Sequence, residues 1–298
     1  MKEKNFLALP HLKRVRFALR KACFAACRLQ FMSKVWCGMR VPLIAANWKM
    51  NKTIPEAVVL AQDICNNLDR FDTSDFELVV FAPALDIKPV KTVFEFEKMP
   101  IELGAQNFYY EQSGAFTGEI SPAMIQSAGC SWALVGHSER RELFGETNDI
   151  VHRKVLAALE HQLNVMLCVG ESAYVRDSHE ELSFVEQQLK AAFAQVDASC
   201  ACRCAVAYEP LWAIGTGVSA PPESAERMGA HIRSVLLDIF GMKDGEQPRI
   251  LYGGSVTPGS VANLMNMPHI DGVLVGKASL EARSFVPLVQ AAVPEAVR

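Results

Sequence analysis

From residue 41 onward the chain alternates short, continuous apolar runs with longer stretches in which apolar residues recur every three or four positions. The runs are Leu43–Ala46, Leu78–Phe81, Ile101–Ala105, Trp132–Val135, Val165–Val169, Ala205–Tyr208, Arg249–Tyr252 and Gly272–Val275. Mostly unbroken apolar runs suit strands buried on both faces, as in a parallel sheet covered by helices. The first helical stripe is Ala57, Leu60, Ala61, Ile64 and Leu68, after a Thr53-Ile54-Pro55-Glu56 segment with capping-box spacing. Other stripes are Val151, Val155, Ala158, Leu159 and Gln162, then Leu182, Val185, Leu189, Ala192, Phe193 and Val196, and then Met228, Ile232, Val235, Leu236 and Ile239. Eight strands alternating with helices over about 250 residues predict an α/β fold, a single-domain (β/α)8 barrel. An open doubly wound sheet competes, but it usually carries a glycine-rich loop after its first strand. Here the first strand runs into Asn47-Trp48-Lys49-Met50-Asn51.

Composition changes this picture mainly at the N-terminus. The net charge of the 298 residues is −3, but residues 1–40 hold ten Lys/Arg and one acid, Glu3, so the body is strongly acidic. An acidic body argues against a nucleic-acid surface. Residues 1–38 read as a basic N-terminal extension: a disordered segment, an organelle transit peptide, or sequence upstream of a true start at Met39. The artefact or disordered reading is favoured over targeting, and residues 39–298 form the predicted domain. No apolar run approaches the roughly 18–20 residues of a membrane span. Nine cysteines without a regular framework suit reduced thiols in a cytoplasmic protein. Cys200, Cys202 and Cys204 alternate toward a strand and are expected to share one sheet face, with no nearby His or Cys pair to complete a metal site.

In such a barrel the chemistry sits where the strands end. Those ends are Asn47 and Lys49, Gln106-Asn107, Gly136-His137-Ser138-Glu139, Cys168-Val169-Gly170-Glu171, Glu209, Gly253-Gly254-Ser255 and Gly276-Lys277. Glu209 leads into Pro210-Leu211-Trp212-Ala213-Ile214-Gly215-Thr216-Gly217, a stiff, small-residue segment that suits a closing lid or an ordinary buried loop. His137 reads as a neutral donor at a helix start or as a satisfied core histidine. Lys49 reads as a fixed cation at the barrel mouth or as a surface lysine. The two glycine turns offer backbone N–H groups to an anion, where this fold often binds phosphate. A base, an electrophile and a cation, with no metal set, nucleophile elbow or dinucleotide fingerprint, suit cofactor-free proton abstraction beside a carbonyl.

The stretches Ala46–Asn51, Gly114–Glu119, Gly136–Arg141, Tyr208–Gly217, Tyr252–Val256 and Gly276–Leu280 resemble, in order, the triosephosphate isomerase family. The resemblance implies a TIM barrel that interconverts dihydroxyacetone phosphate and D-glyceraldehyde 3-phosphate through an enediolate, in glycolysis and gluconeogenesis. It implies that Glu209 moves the carbon-bound proton, His137 polarises the carbonyl, Lys49 stabilises the enediolate and Asn47 binds substrate. It places phosphate on Gly215, Ser255, Gly253, Gly254, Gly276 and Lys277, with Glu139 and Cys168 in support and no cofactor or metal. The loop 108–121 then docks into a second copy, bringing Thr117 to the partner's site in a homodimer. Ala46, Leu211, Val218 and Lys277 depart from the common family pattern. Another phosphate-binding isomerase or lyase barrel, or a non-catalytic barrel, would place other residues at these strand ends or lack one of Lys49, His137 and Glu209.

Overall fold

The computed structural model describes residues 41–68, 75–213, 220–241 and 247–293. Eight strands form one closed barrel in sequence order. They are β1 (Leu43–Asn47), β2 (Glu77–Ala82), β3 (Ile101–Ala105), β4 (Trp132–Val135), β5 (Asn164–Val169), β6 (Cys204–Tyr208), β7 (Arg249–Tyr252) and β8 (Gly272–Val275). All pairs are parallel, and β1 closes the ring by pairing Leu43 with Glu77 of β2 and with Gly272 of β8. Among the described residues, the α-helices between and after the strands are α1 (Ile54–Leu68), α2 (Ile87–Phe96), α3 (Pro122–Ala128), α4 (Ser138–Phe144), α5 (Asn148–Glu160), α6 (Ala173–Asp177), α7 (Glu181–Ala192), α8 (Pro222–Phe240), α9 (Val261–Met265) and α10 (Ala282–Ala292). The expected single (β/α)8 barrel is the fold observed.

Alternation along each strand sorts the core into two layers. Leu43, Ala45, Val79, Phe81, Trp132, Leu134, Met166, Cys168, Ala205, Ala207, Leu251 and Leu274 fill the barrel interior. Their neighbours, such as Ile44, Val80, Val165 and Val206, face the helices with Leu60, Ile64, Val155, Leu189 and Ile232. Both faces are therefore apolar, which is why the strands read as unbroken runs. At Thr53 the capping-box spacing is used in part: Glu56 accepts both the backbone N–H and the hydroxyl of Thr53 at 2.8 Å.

Three local expectations change. Cys200 and Cys202 lie in a 3-10 turn, Ala198–Arg203, and only Cys204 enters β6, so the three do not share a sheet face. The side chain and N–H of Asp197 and Ser199 start that turn, with Asp197 accepting from Ser199 at 3.0 Å. Cys65, Cys130, Cys168 and Cys204 are free thiols. The helical stripes also stop early: Gln162, with φ of 60°, lies beyond α5, and Phe193 and Val196 lie beyond α7. The basic extension, residues 1–38, and Met39 lie outside the described residues.

Candidate active site

The interior alternation, carried two residues past each strand's last inward position, leads to Asn47 from Ala45, Glu209 from Ala207, Gly253 from Leu251 and Gly276 from Leu274. The same period that packs the barrel therefore delivers these residues to one mouth.

Glu209 is 2% exposed and His137 is 6% exposed. Glu209 Oε1 lies 3.0 Å from His137 Nε2, and Oε2 accepts the Ser138 backbone N–H at 2.9 Å. Burial, the largest influence, pushes the Glu209 carboxyl up, but His137 and the Ser138 donors outweigh it and hold the pKa below the ordinary value. For His137, burial again acts first and disfavours the charged ring, but the Glu209 and Glu139 carboxylates outweigh it and raise the pKa. Nδ1 accepts the Glu139 backbone N–H at 3.3 Å where α4 begins, a bond that protonating Nδ1 would destroy. The neutral ring with its proton on Nε2 satisfies both nitrogens. Once Glu209 takes up a proton, the main influence favouring the imidazolium is gone.

Lys49 is not on the β1 strand face, because β1 ends at Asn47 and Lys49 turns to φ of 52°. That left-handed turn is held on both sides: Asn47 Oδ1 accepts the Lys49 N–H at 3.0 Å, and Gln106 Nε2 donates to the Lys49 carbonyl at 2.9 Å. The Lys49 ammonium pairs with Glu139 at 2.8 Å. A Cβ added at Gly276 would sit 3.5 Å from Lys49 Cε, so the cation lies beside the end of β8. Likewise a Cβ at Gly253 would sit 3.0 Å from Glu209 Cγ, which places the acid beside the end of β7.

The glycine turns differ from one another. Gly253 donates its N–H to the Tyr208 carbonyl at 2.7 Å, so that group extends the ladder and is not offered to an anion. This corrects its place among the expected phosphate donors. Gly254 and Ser255 follow in a half-buried turn, but the next helix, α9, begins only at Val261. After β8 a 3-10 turn, Lys277–Leu280, starts directly behind Gly276, and Lys277 is exposed and keeps a negative φ. Gly215 and Val218 lie outside the described residues. Thr117 is exposed, within a loop whose residues 111–119 are all exposed. Cys168 is fully buried, and burial pushes its thiol well above the ordinary value, which keeps it a neutral packing group beneath Glu209. Among the described residues there is no group of three or more His, Cys, Asp or Glu placed to hold a metal.

The family profile for triosephosphate isomerase matches residues 42–292. The chain belongs to the triosephosphate isomerase family. It is 45% identical over 251 residues to the triosephosphate isomerase of Chloroflexus aurantiacus, covering 84% of this chain and 99% of that one. It is 43% identical over 252 residues to that of Syntrophotalea carbinolica, covering 85% and 98%. The crystal structure of triosephosphate isomerase from Bartonella henselae superposes with a TM-score of 0.74 at 33% identity, covering 85% of this chain and 99% of that chain. The chain is thus an intramolecular isomerase that interconverts dihydroxyacetone phosphate and glyceraldehyde 3-phosphate.

Around this isomerase site stand residues that the sequence reading left without a role. Glu146 is buried and binds the Gly136 N–H at 2.9 Å, Arg140 at 2.8 Å and Lys154 at 2.7 Å, and Lys154 also reaches Asn107 at 2.7 Å. Burial acts first to raise the Glu146 pKa, but Lys154, Arg140 and the Gly136 N–H hold it below the ordinary value. Glu171, wholly buried, accepts from Tyr208 at 3.0 Å and Trp212 at 2.8 Å and faces Arg176 at 3.3 Å, fixing the chain just after Glu209. Farther along the chain, the Tyr252 hydroxyl accepts the Ala220 N–H at 3.1 Å. Glu171 lies two residues beyond β5, whereas Glu146 lies eleven beyond β4, past a charge-rich segment that reads as solvated helix. The one available signal was the strand-end position of Glu171.

Proposed function

We propose that Glu209 is the base of the triose-phosphate reaction. Its carboxylate removes the proton from the carbon beside the substrate carbonyl, and the His137 Nε2–H hydrogen-bonds the carbonyl oxygen as the enediolate forms. Protonated Glu209 returns the proton to the adjacent carbon while His137 passes a proton between the two oxygens, so nothing is gained or lost overall. Lys49 offsets the enediolate and phosphate charge, and Asn47 contributes a hydrogen bond to the substrate. Glu139 supports this arrangement by pairing with Lys49 and donating its N–H to His137. Gly215, Gly254, Ser255, Gly276 and Lys277 are the proposed phosphate side, and closure of residues 210–217 protects the enediolate from water.

The observation that carries this reading is the buried Glu209–His137 pair at 3.0 Å, with the Lys49 ammonium tied to the same helix start through Glu139. Substrate competes for both halves of that pair. Glu209→Gln is expected to keep the fold by circular dichroism and to lose ~10²–10⁴ in kcat in a coupled assay; near-normal turnover would overturn the assignment.

A homodimer through residues 108–121, with Thr117 entering the partner's site, is also proposed. Large apolar residues stay exposed in the connections after four consecutive strands: Met50 after β1, Leu85 after β2, Phe116 after β3, and Leu143 and Phe144 after β4. Adjacent strands put these connections side by side on one half of the rim, and Met50 is 96% exposed, a cost that a second copy would remove. An active monomer in sedimentation velocity would refute the dimer. Residues 1–38 are proposed to be an extension of the 39–298 isomerase domain, since β1 begins at Leu43 and the family match begins at residue 42. A role in glycolysis and gluconeogenesis is proposed from the reaction, with the cytoplasm as its compartment; recovery of the activity in an organelle fraction would contradict the compartment.

A further inference from the structure

We propose that Arg141 is a positioning residue that holds His137 in register with Glu209 by tying the end of β4 to the end of β5. The β4–β5 ladder runs from Trp132 opposite Asn164 to Val135 opposite Leu167. Its next rung would pair Gly136 with Cys168, but Gly136 turns away with φ of 71° and the ladder stops. Arg141 takes over that rung. Its Nε donates to the Gly136 carbonyl at 2.7 Å and its Nη2 to the Cys168 carbonyl at 3.3 Å, while Nη1 donates to Asn148 Oδ1 at 2.8 Å.

The two reacting groups are referred to the same strand by different means. Glu209 follows β6, one residue beyond the Val169–Tyr208 register pair, and its own N–H bonds the Val169 carbonyl of β5 at 2.7 Å. His137 follows β4 immediately after Gly136, and the Arg141 fork is the bridge from that turn to β5. The planar guanidinium reaches two carbonyls in a fixed geometry, which a lysine cannot do. Gly136 makes room for it: a Cβ there would lie 2.8 Å from Arg141 Nη2 and 3.2 Å from the Cys168 oxygen. Glu146 holds the other face of the same turn by accepting the Gly136 N–H. The turn that carries His137 is therefore gripped at its N–H and at its carbonyl, and the carbonyl grip alone runs to β5.

This inference rests on Glu209 and His137 being the proton-transfer pair. The test uses the full chain with Arg141→Met, Arg141→Lys and, as a control, Glu209→Gln, each assayed for kcat, KM and Tm. Arg141→Met, which keeps the stem but no donors, is expected to lose ~10²-fold in kcat, because a displacement near 1 Å has that effect, with KM changed much less. Arg141→Lys keeps the charge, is the variant expected to fold, and should recover only part of the loss. A fall in Tm with wild-type kcat measured well below the transition, in either Arg141 variant, would show a purely structural role and overturn the proposal. If Glu209→Gln itself turns over normally, the underlying site assignment fails instead. Should Arg141→Met not fold, the Arg141→Lys kcat alone decides, with a wild-type value refuting the positioning role.

Discussion

Glu209 is buried enough to favour the neutral acid, yet two partners keep it ionised. Glu146 repeats the pattern beneath the His137 turn. Both folded-state values lie below those of the unfolded chain, where a glutamate titrates near 4.3. Their contribution to stability is therefore complete above about pH 4.3 and is lost as pH falls further, through the folded-state values. Urea midpoints measured from pH 5 to pH 3 should drop below about pH 4.3, and a midpoint that stays level or rises over that span would contradict the sign. Glu209 and His137 were legible in the sequence because each stands directly beyond an apolar strand. Arg141 and Glu146 were not, because charges in Glu139-Arg140-Arg141-Glu142 read as the solvated face of a helix. The turn at Lys49 was also hidden, since a lysine ordinarily avoids positive φ and here needs Asn47 and Gln106 to hold it.

At the scale of elements, the strand ends carry the function, and their close backbone approaches are strict. A Cβ on Gly170 would fall 1.8 Å from the Glu209 carbonyl oxygen and 2.7 Å from its carbon. Gly170→Ala must therefore push β6 away from β5 at Glu209, the proposed base. Its kcat is expected to fall by ~10²-fold or more, with a lower Tm, by steady-state assay and thermal melt; an alanine variant with unchanged kcat would mean that the β5–β6 spacing does not matter. The strands themselves were legible almost to the residue, because burial on both faces leaves no polar position to blur them. Cys200 and Cys202 misled for a physical reason: alternating Cys and small residues mimic a strand period, while the Asp197–Ser199 cap starts a 3-10 turn instead.

The whole molecule is set by closure. The chain from Leu43 to Val293 contains every described strand and both core layers, so deleting residues 1–38 is expected to leave an active isomerase, checked by kcat and KM of a chain begun at Met39. An inactive truncated chain would give the extension a part in catalysis.

Closure also orders events in time. Leu43 pairs with Gly272, and Lys49 lies against Gly276, so groups encoded more than two hundred residues apart must meet before the ring exists. Such distant pairings are slow to form and come late in folding. A chain emerging from the ribosome holds Lys49 almost from the outset, yet it lacks Gly276, on the proposed phosphate side, until the eighth strand arrives. Fragments that end before β8 thus lack the closing ladder and part of the proposed anion pocket together. No partly active precursor is expected on that placement, and the onset of turnover during refolding should mark the moment the ring shuts.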